Sequence, residues 1–193
     1  MTTHGPARLA KLTPAQLDPE QRAVYEAIAG GRRAQGPQVF RLVDDDGGLE
    51  GPFNAFLLQP RLGGVLQAVG SAVRYETALS DRAREIAILV VSDAWESDFE
   101  RYAHEAVGRQ VGLTDDELGA LRDQRYEGLP AKEQLVARTT AQLVSAGDLD
   151  DAGYAAAVDA LGTAGLFELL TLVGYYATLA LQLRVFRVPA PAP

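Results

Sequence analysis

Apolar residues recur at intervals of three or four positions through most of this chain, from Phe53 to Leu183. This is the spacing of one face of an α-helix. The stretch 61–75 carries such a face, formed by Leu62, Val65, Leu66, Val69 and Val73. The stretch after Ser80, REIAILVVSDAW, is apolar on nearly all sides and should be a buried central helix. Only 38–43 could be a short extended segment, so the pattern predicts an all-α fold.

Capping residues mark where several of these helices begin. Ser80, Ser97 or Asp98, and Thr163 are suitable N-caps, and Thr114-Asp-Asp-Glu117 forms a capping box. The remaining predicted helices are 20–29, 54–59 ended by Pro60, 131–145, 151–161 and 164–183. The run 44–48, DDDGG, is predicted to be a solvated turn, since it lacks the ligand spacing of a calcium loop.

The chain divides into three parts by composition. Residues 1–50 are predicted to be an N-terminal arm with one helix and an irregular loop. Residues 51–185 form the all-α domain, and residues 186–193 are a flexible proline-rich tail. Whether 32–50 act as a lid over a site is an open question at this stage.

The net charge of -8 and the pI of about 4.8 restrict the partners of the chain. An acidic protein is repelled by nucleic acid and by anionic lipid, so neither is expected as a partner. The first residues lack the apolar segment of a secretory signal, which favours a cytoplasmic location. The apolar run 166–183 is interrupted by Glu168, Gly174 and Gln182, so it indicates a core helix or a subunit contact more than a membrane span.

The chain contains no cysteine and only two histidines, His4 and His104. Without cysteine there is no disulfide, no thiolate nucleophile and no cysteine-ligated metal or cluster. Two histidines cannot form a histidine-rich metal site within one chain. We therefore expect no metal and no cofactor.

His104 is the candidate for proton transfer. It follows Glu100 by one helical turn, and Ser97 lies a further turn along the same face, so the three make a polar stripe on an otherwise apolar helix. The alternative interpretation is an ordinary surface pair of side chains. Glu85 opens the most apolar helix and is a candidate for a buried carboxylate. Its alternative is a first-turn acid favoured by the helix dipole.

Three motifs carry a resemblance to a known family. They are GPFNAFL at 51–57, RYETALSDRAREIAIL at 74–89 and ESDFERYAHE at 96–105. Together they resemble the characteristic segment of the carboxymuconolactone decarboxylase and alkylhydroperoxidase-like family, over residues 51–113. The stretch LAKLTPAQLDPEQRAVYEAI is similar to the leader of longer members. The resemblance implies an all-α fold and assembly as a homo-oligomer, a trimer or a hexamer.

The resemblance also assigns roles to particular residues. Glu85 matches the acid of the peroxidase branch and His104 its histidine, while Ser97 and Glu100 stand where that branch has its two thiols. Because a serine does not cycle through sulfenic acid or disulfide states, thiol peroxidase activity is excluded. The proton-handling residues remain.

The decarboxylase branch implies a reaction that needs no cofactor. The expected function is a cofactor-independent lyase acting on a small carboxylated, lactone or carbonyl metabolite, with His104 as the acid/base and with Glu85 and Glu100 tuning it or relaying protons. Isomerisation and lactone opening remain open. The predicted substrate contacts are Ser97, Trp95, Arg74, Arg82 and Arg101. Each arginine could instead be a solvated surface charge, and Trp95 a structural aromatic.

The second hypothesis is a non-catalytic helical oligomer that binds a small ligand or a protein partner. The absence of both family cysteines is what a member that had lost catalysis would show.

Overall fold

The computed structural model describes residues 5–35 and 38–191. Within these ranges the chain forms eight α-helices, two short 3-10 turns and no β-strand, which confirms the all-α prediction. The helices are α1 (Pro19–Ala29), α2 (Phe53–Phe56), α3 (Pro60–Tyr75), α4 (Asp81–Ala94), α5 (Asp98–Gln110), α6 (Asp115–Arg122), α7 (Ala131–Ala146) and α8 (Asp151–Phe186). The 3-10 turns are Pro14–Gln16 and Arg32–Ala34.

Helix α4 lies at the centre of the fold. The Ser80 hydroxyl caps it by accepting a hydrogen bond from the backbone N–H of Ala83 at 3.2 Å. Every residue from Ala83 to Ser92 is buried, because α5, α7 and α8 pack around this helix. The sequence-based expectation of a buried central helix after Ser80 is confirmed.

The N-terminal part of the chain packs into the same core as the helices that follow it. Leu17, Val24 and Ile28 share one buried apolar cluster with residues of α4 and α8. Asn54 attaches the arm through two hydrogen bonds, since its side chain accepts from the N–H of Leu12 and donates to the carbonyl of Ala10, each at 3.0 Å. The arm is thereby held against α2.

The boundary between α2 and α3 differs from the sequence-based prediction. Pro60 was expected to end a helix over 54–59, but α2 already ends at Phe56 and Pro60 begins α3. Proline suits the first turn of a helix, because the N–H that it lacks would have no intrahelical partner there.

Helix α8 joins two segments that the sequence predicts as separate helices. The irregular residue between them is Gly162, whose φ of +72° lies in the left-handed region that favours glycine. The helix also continues through Phe186, three residues further than predicted, because the first proline of the tail is Pro189.

Part of the surface of α8 is apolar and exposed. Among the described residues, α8 is the one helix with the length and composition of a membrane span, and 33% of its most apolar stretch is buried. The exposed large side chains of α8 are Tyr154, Phe167, Leu170, Leu181 and Val185.

Between α1 and α2, residues 30–35 and 38–52 are irregular apart from one 3-10 turn and one isolated β-bridge. The expected extended segment at 38–43 amounts to one isolated antiparallel bridge between Val43 and Leu49. Between them, Asp44 closes the predicted turn by accepting the N–H of Gly48 at 2.7 Å. Lys11 fastens this turn to the arm through ion pairs with Asp44 at 3.0 Å and Glu50 at 2.7 Å.

Candidate active site

The buried histidine of α5 contacts a buried carboxylate of α4. His104 is 8% exposed and Glu85 is 1% exposed. Nδ1 of His104 lies 2.6 Å from Oε2 of Glu85, a distance that the packing of α4 against α5 makes possible. The two residues are therefore in direct contact. Their catalytic role stays a prediction.

Arg74, at the end of α3, is the third member of this group. Its Nη1 lies 3.5 Å from Oε1 of Glu85, so the carboxylate meets a different partner with each oxygen. Burial is the largest single influence on the pKa of Arg74 and would lower it, but Glu85, Tyr176 and Tyr75 together outweigh burial and raise this pKa. Arg74 thus stays charged beside the Glu85–His104 pair.

The contact with Glu85 decides which nitrogen of His104 faces a ligand. A carboxylate can only accept, so Nδ1 of His104 donates to Glu85. In the neutral ring the lone pair then lies on Nε2, which has no hydrogen-bond partner among residues 5–35 and 38–191. Because His104 also lines the cavity described next, Nε2 is the nitrogen available for proton transfer.

A cavity of about 240 Å³ lies beside His104. Glu85 does not line it, but both of its partners, His104 and Arg74, do. Much of the cavity wall belongs to the segment between α1 and α2, which thus covers the site. The wall residues from this segment are Arg32, Arg33, Gln35, Gln38, Val39, Phe40 and Leu42.

Glu100 lines the cavity one helical turn before His104. It is 2% exposed, and neither of its carboxyl oxygens has a hydrogen-bond partner in the described part of the chain. Burial raises the pKa of Glu100 to about 8, and the nearby hydroxyl of Ser97 lowers it by a smaller amount. At neutral pH Glu100 is therefore mostly a neutral carboxylic acid.

Two consecutive tyrosines of α8 complete the surroundings of the histidine. The ring of Tyr176 meets that of His104 edge to face, with centroids 5.1 Å apart, and Tyr175 packs on Tyr176 in the same way at 5.4 Å. Burial raises the pKa of both phenols, that of Tyr175 to about 12, so both stay neutral. These contacts hold the histidine ring in place from the side of α8.

Two arginines predicted to bind substrate lie outside the cavity. Arg82 is held by Glu117 and Glu133, with ion-pair distances of 2.7 and 2.9 Å. Arg101 forms an ion pair with Asp93. Since neither lines the cavity, of the three predicted arginines only Arg74 is placed to meet a ligand.

Ser97 and Trp95 also lie apart from the cavity. Ser97 precedes α5 and lines a separate small cleft together with Arg184 and Val188. The side chain of Trp95 packs against the main apolar cluster, and its carbonyl accepts a hydrogen bond from Arg184 at 3.2 Å. This packing agrees with the alternative interpretation of Trp95 as a structural aromatic.

Sequence reasoning missed several polar residues of the cavity, among them Arg32, Arg33 and Tyr175. The arginines were assigned to an irregular segment and the tyrosine to an apolar helix. One signal was available, because two adjacent arginines follow Gly30 and Gly31 with no acidic residue before Asp44 to pair with them.

Comparison with solved structures identifies the fold. No protein-family model and no curated protein matches the sequence. An uncharacterized peroxidase-related protein from Silicibacter sp. TM1040 superimposes with a TM-score of 0.74 at 16% identity, over 100% of this chain and 95% of that one. A peroxidase-related protein with an alkylhydroperoxidase AhpD core, from Ralstonia eutropha JMP134, gives 0.73 at 13% identity, over 97% and 94%. The chain has the alkylhydroperoxidase-like fold.

The same fold relates this chain to the debrominase Bmp8, solved in complex with 2,3,4-tribromopyrrole. The TM-score is 0.72 at 9% identity, and the match covers 97% of this chain and 95% of the debrominase. Identities of 9% to 16% establish the alkylhydroperoxidase-like fold and nothing finer. In this version of the fold the site contains no thiol, since Ser97 and Glu100 occupy the two positions that the resemblance assigns to cysteine.

Proposed function

We propose that this protein is a cofactor-independent enzyme of the decarboxylase type. It acts on a small carboxylated, lactone or carbonyl metabolite by proton transfer at His104. The observation that carries the proposal is the 2.6 Å contact between Nδ1 of His104 and Oε2 of Glu85 at the wall of the cavity. A histidine oriented by a carboxylate, with its second nitrogen free, is the usual form of a general acid/base.

The dimensions of the cavity support a small substrate. Its volume of about 240 Å³ lies just below the range of ordinary ligand sites, which is about 300 to 1,000 Å³. Its walls combine the rings of Phe40, Phe53 and Phe99 with the charged and polar groups already described. A compact, partly apolar metabolite fits this lining.

The decarboxylation step can be written with this chain's own residues. The bond between the substrate carbon and its carboxylate breaks, CO₂ leaves, and the electron pair passes into the conjugated carbonyl. Protonated His104 then delivers a proton from Nε2 to the carbon, and the ring regains a proton from solvent, so each turnover consumes one proton. Glu85 holds the ring and stabilises its positive charge. Neutral Glu100 can donate a hydrogen bond to the enolate oxygen.

A panel of small β-keto and vinylogous carboxylates, with and without a lactone ring, tests this function. The measurements are CO₂ release and solvent deuterium incorporation at the product carbon. We expect turnover by the unaltered protein and a loss of about 10²- to 10⁴-fold in His104→Asn. Glu85→Gln should also lose activity, and the two losses should not add in the double variant. Arg61→Gln, at an exposed site outside the cavity, is the control. Unchanged turnover in His104→Asn would contradict the proposal.

Binding without turnover is the second candidate, and the absence of both thiols favours it. The protein would then be a helical oligomer that holds a small ligand in the same cavity. The panel separates the two functions: a compound that binds but releases no CO₂ and takes up no deuterium supports binding alone.

A further inference from the structure

Arg32 and Arg33, from the segment that lines the cavity between α1 and α2, have no ion-pair partner in the part of the chain that the structure describes. We infer that Arg33, with Arg32 beside it, binds a carboxylate of the ligand, and that Glu100 and Tyr175 bind an uncharged polar group of the same ligand. This inference rests on the proposed function only in taking the same cavity as the ligand site. It makes Arg33 the residue that determines specificity.

The first observation is the state of the two guanidinium groups. Among the residues that the structure describes, no carboxylate forms an ion pair with Arg32 or Arg33, whereas Arg74 in the same cavity pairs with Glu85 at 3.5 Å. Arg32 instead lies over the ring of Tyr75 at 4.4 Å. Such a contact orients a guanidinium without cancelling its charge.

Arg33 is held in place by uncharged groups in a similar way. Its Nε donates to the side-chain oxygen of Gln67 at 3.3 Å, and its guanidinium lies over the ring of Phe53 at 5.2 Å. The planar fork of an arginine fits a carboxylate with two parallel hydrogen bonds. An anionic group on the ligand would therefore supply the partner that the protein does not.

The second observation is the close approach of Arg33 and Tyr175 at Gly70. A Cβ atom at Gly70 would lie 2.2 Å from the hydroxyl oxygen of Tyr175 and 2.6 Å from Nη2 of Arg33. Glycine therefore leaves the space in which these two polar groups meet. The arginine of the covering segment and the tyrosine of α8 thus form one continuous part of the cavity wall.

The third observation is a pair of buried polar groups without partners. Both carboxyl oxygens of Glu100 and the hydroxyl of Tyr175 are buried, and none of them has a hydrogen bond within residues 5–35 and 38–191. A buried polar group left unsatisfied is unfavourable, because it has given up its hydrogen bonds to water. Since both residues line the cavity, a hydroxyl, carbonyl or amide on the ligand would satisfy them. Glu100 is mostly neutral at pH 7, so it does not repel the anionic end of that ligand.

Isothermal titration calorimetry at pH 7 and low salt, with three ring compounds of similar size, tests this subsite. Benzoate carries the anion, benzamide replaces it with a neutral amide, and 4-hydroxybenzoate adds a polar group at the far end. We expect 4-hydroxybenzoate to bind most tightly and benzamide most weakly.

Arg33→Gln should weaken the binding of both carboxylates by about tenfold or more and leave the binding of benzamide unchanged. Arg33→Lys should restore part of the loss.

Two further variants make the test specific. Arg61→Gln removes an arginine whose side chain is 85% exposed, outside the cavity, and should bind benzoate like the unaltered protein. Glu100→Leu should reduce the gain in affinity that the 4-hydroxyl group gives 4-hydroxybenzoate over benzoate. If Arg33→Gln fails to fold by circular dichroism, Arg32→Gln takes its place and must also weaken benzoate.

Several outcomes would overturn the inference. They are equal binding of benzoate and benzamide, no binding of either carboxylate at millimolar concentration, benzoate binding unaffected by the arginine substitutions, and tighter binding of phenyl phosphate than of benzoate. The proposed function fails separately. One result would contradict the proposed enzyme function but support this subsite: no compound is turned over, and arginine-dependent binding persists in His104→Asn. Turnover combined with binding that does not depend on the arginines would support the enzyme function and contradict the subsite.

Discussion

At the scale of single residues, the neutral carboxyl group of Glu100 should make stability depend on pH. Its folded-state pKa is about 8 and its ordinary value is 4.5, so the native state keeps a proton that the unfolded chain releases. The free energy of unfolding should therefore fall as pH rises from 6 to 8, by up to about 1.4 kcal/mol per pH unit, and level off above the folded pKa.

Urea unfolding at several pH values checks this dependence on Glu100. Burial also raises the pKa of Asp93, to about 6. Below pH 6, Asp93 therefore also contributes to the pH dependence of the free energy of unfolding. Glu100→Gln should remove the slope between pH 6 and pH 8. A variant with the same slope as the unaltered protein would show that Glu100 is ionised in the native state.

Glu85 should matter for stability as well as for chemistry. It accepts a hydrogen bond from His104 and forms an ion pair with Arg74, and its removal leaves the largely buried guanidinium of Arg74 without a carboxylate partner. We expect Glu85→Leu to lower the free energy of unfolding by about 3–5 kcal/mol, the usual cost of breaking a buried ion pair. Denaturant unfolding measures this.

The double variant is the control for the Glu85 prediction. Glu85→Leu combined with Arg74→Leu should be less destabilised than Glu85→Leu alone, because no unpaired charge remains. A double variant that is less stable than the single one would mean that packing, and not the charge, accounts for the loss.

At the scale of elements, Gly162 decides how the two segments of α8 meet. Its φ of +72° is strained for any residue with a Cβ atom. Gly162→Ala should lower the free energy of unfolding by about 1–2 kcal/mol. Gly174→Ala is the matched control, because Gly174 lies in the same helix without positive φ and a Cβ there also meets open space. That change should be neutral or stabilising by up to about 1 kcal/mol. Equal effects at the two sites, measured by thermal unfolding, would contradict this account.

At the scale of the whole molecule, the exposed apolar side chains of α8 point to self-association. Phe167 is 69% exposed, and Leu170, Leu181 and Val185 are also exposed on this helix. We expect a homo-oligomer, a trimer or a hexamer, by sedimentation at micromolar concentration, because association removes such side chains from water. Phe167→Arg should shift the protein towards monomer with unchanged circular dichroism. Lys132→Glu, at an exposed position of α7, should leave the assembly intact. Sedimentation of the unaltered protein as a monomer would contradict this prediction.

The sequence by itself determined the helices, because helical periodicity and caps depend on residues within a turn or two of one another. The capping box at Thr114 and Glu117 and the cap of α4 at Ser80 are where they were predicted. The irregular residue Gly162 falls in the gap predicted between 161 and 164, although the two predicted helices are continuous in the structure as one element. The Pro60 boundary was misassigned, because a proline can end one helix or begin the next.

Only the tertiary structure decided which side chains meet. Spacing placed Glu100 and His104 on one face, but the contact of His104 with Glu85 depends on how α4 packs on α5. Arg82 and Arg101 were expected at the site. Instead, Arg82 forms an ion pair with Glu117 and Arg101 forms one with Asp93, both outside the cavity. Arg33 and Tyr175 meet at Gly70 although they are far apart in sequence. Local patterns form helices, whereas a cavity wall is assembled from several of them, so its members become neighbours only when the helices pack.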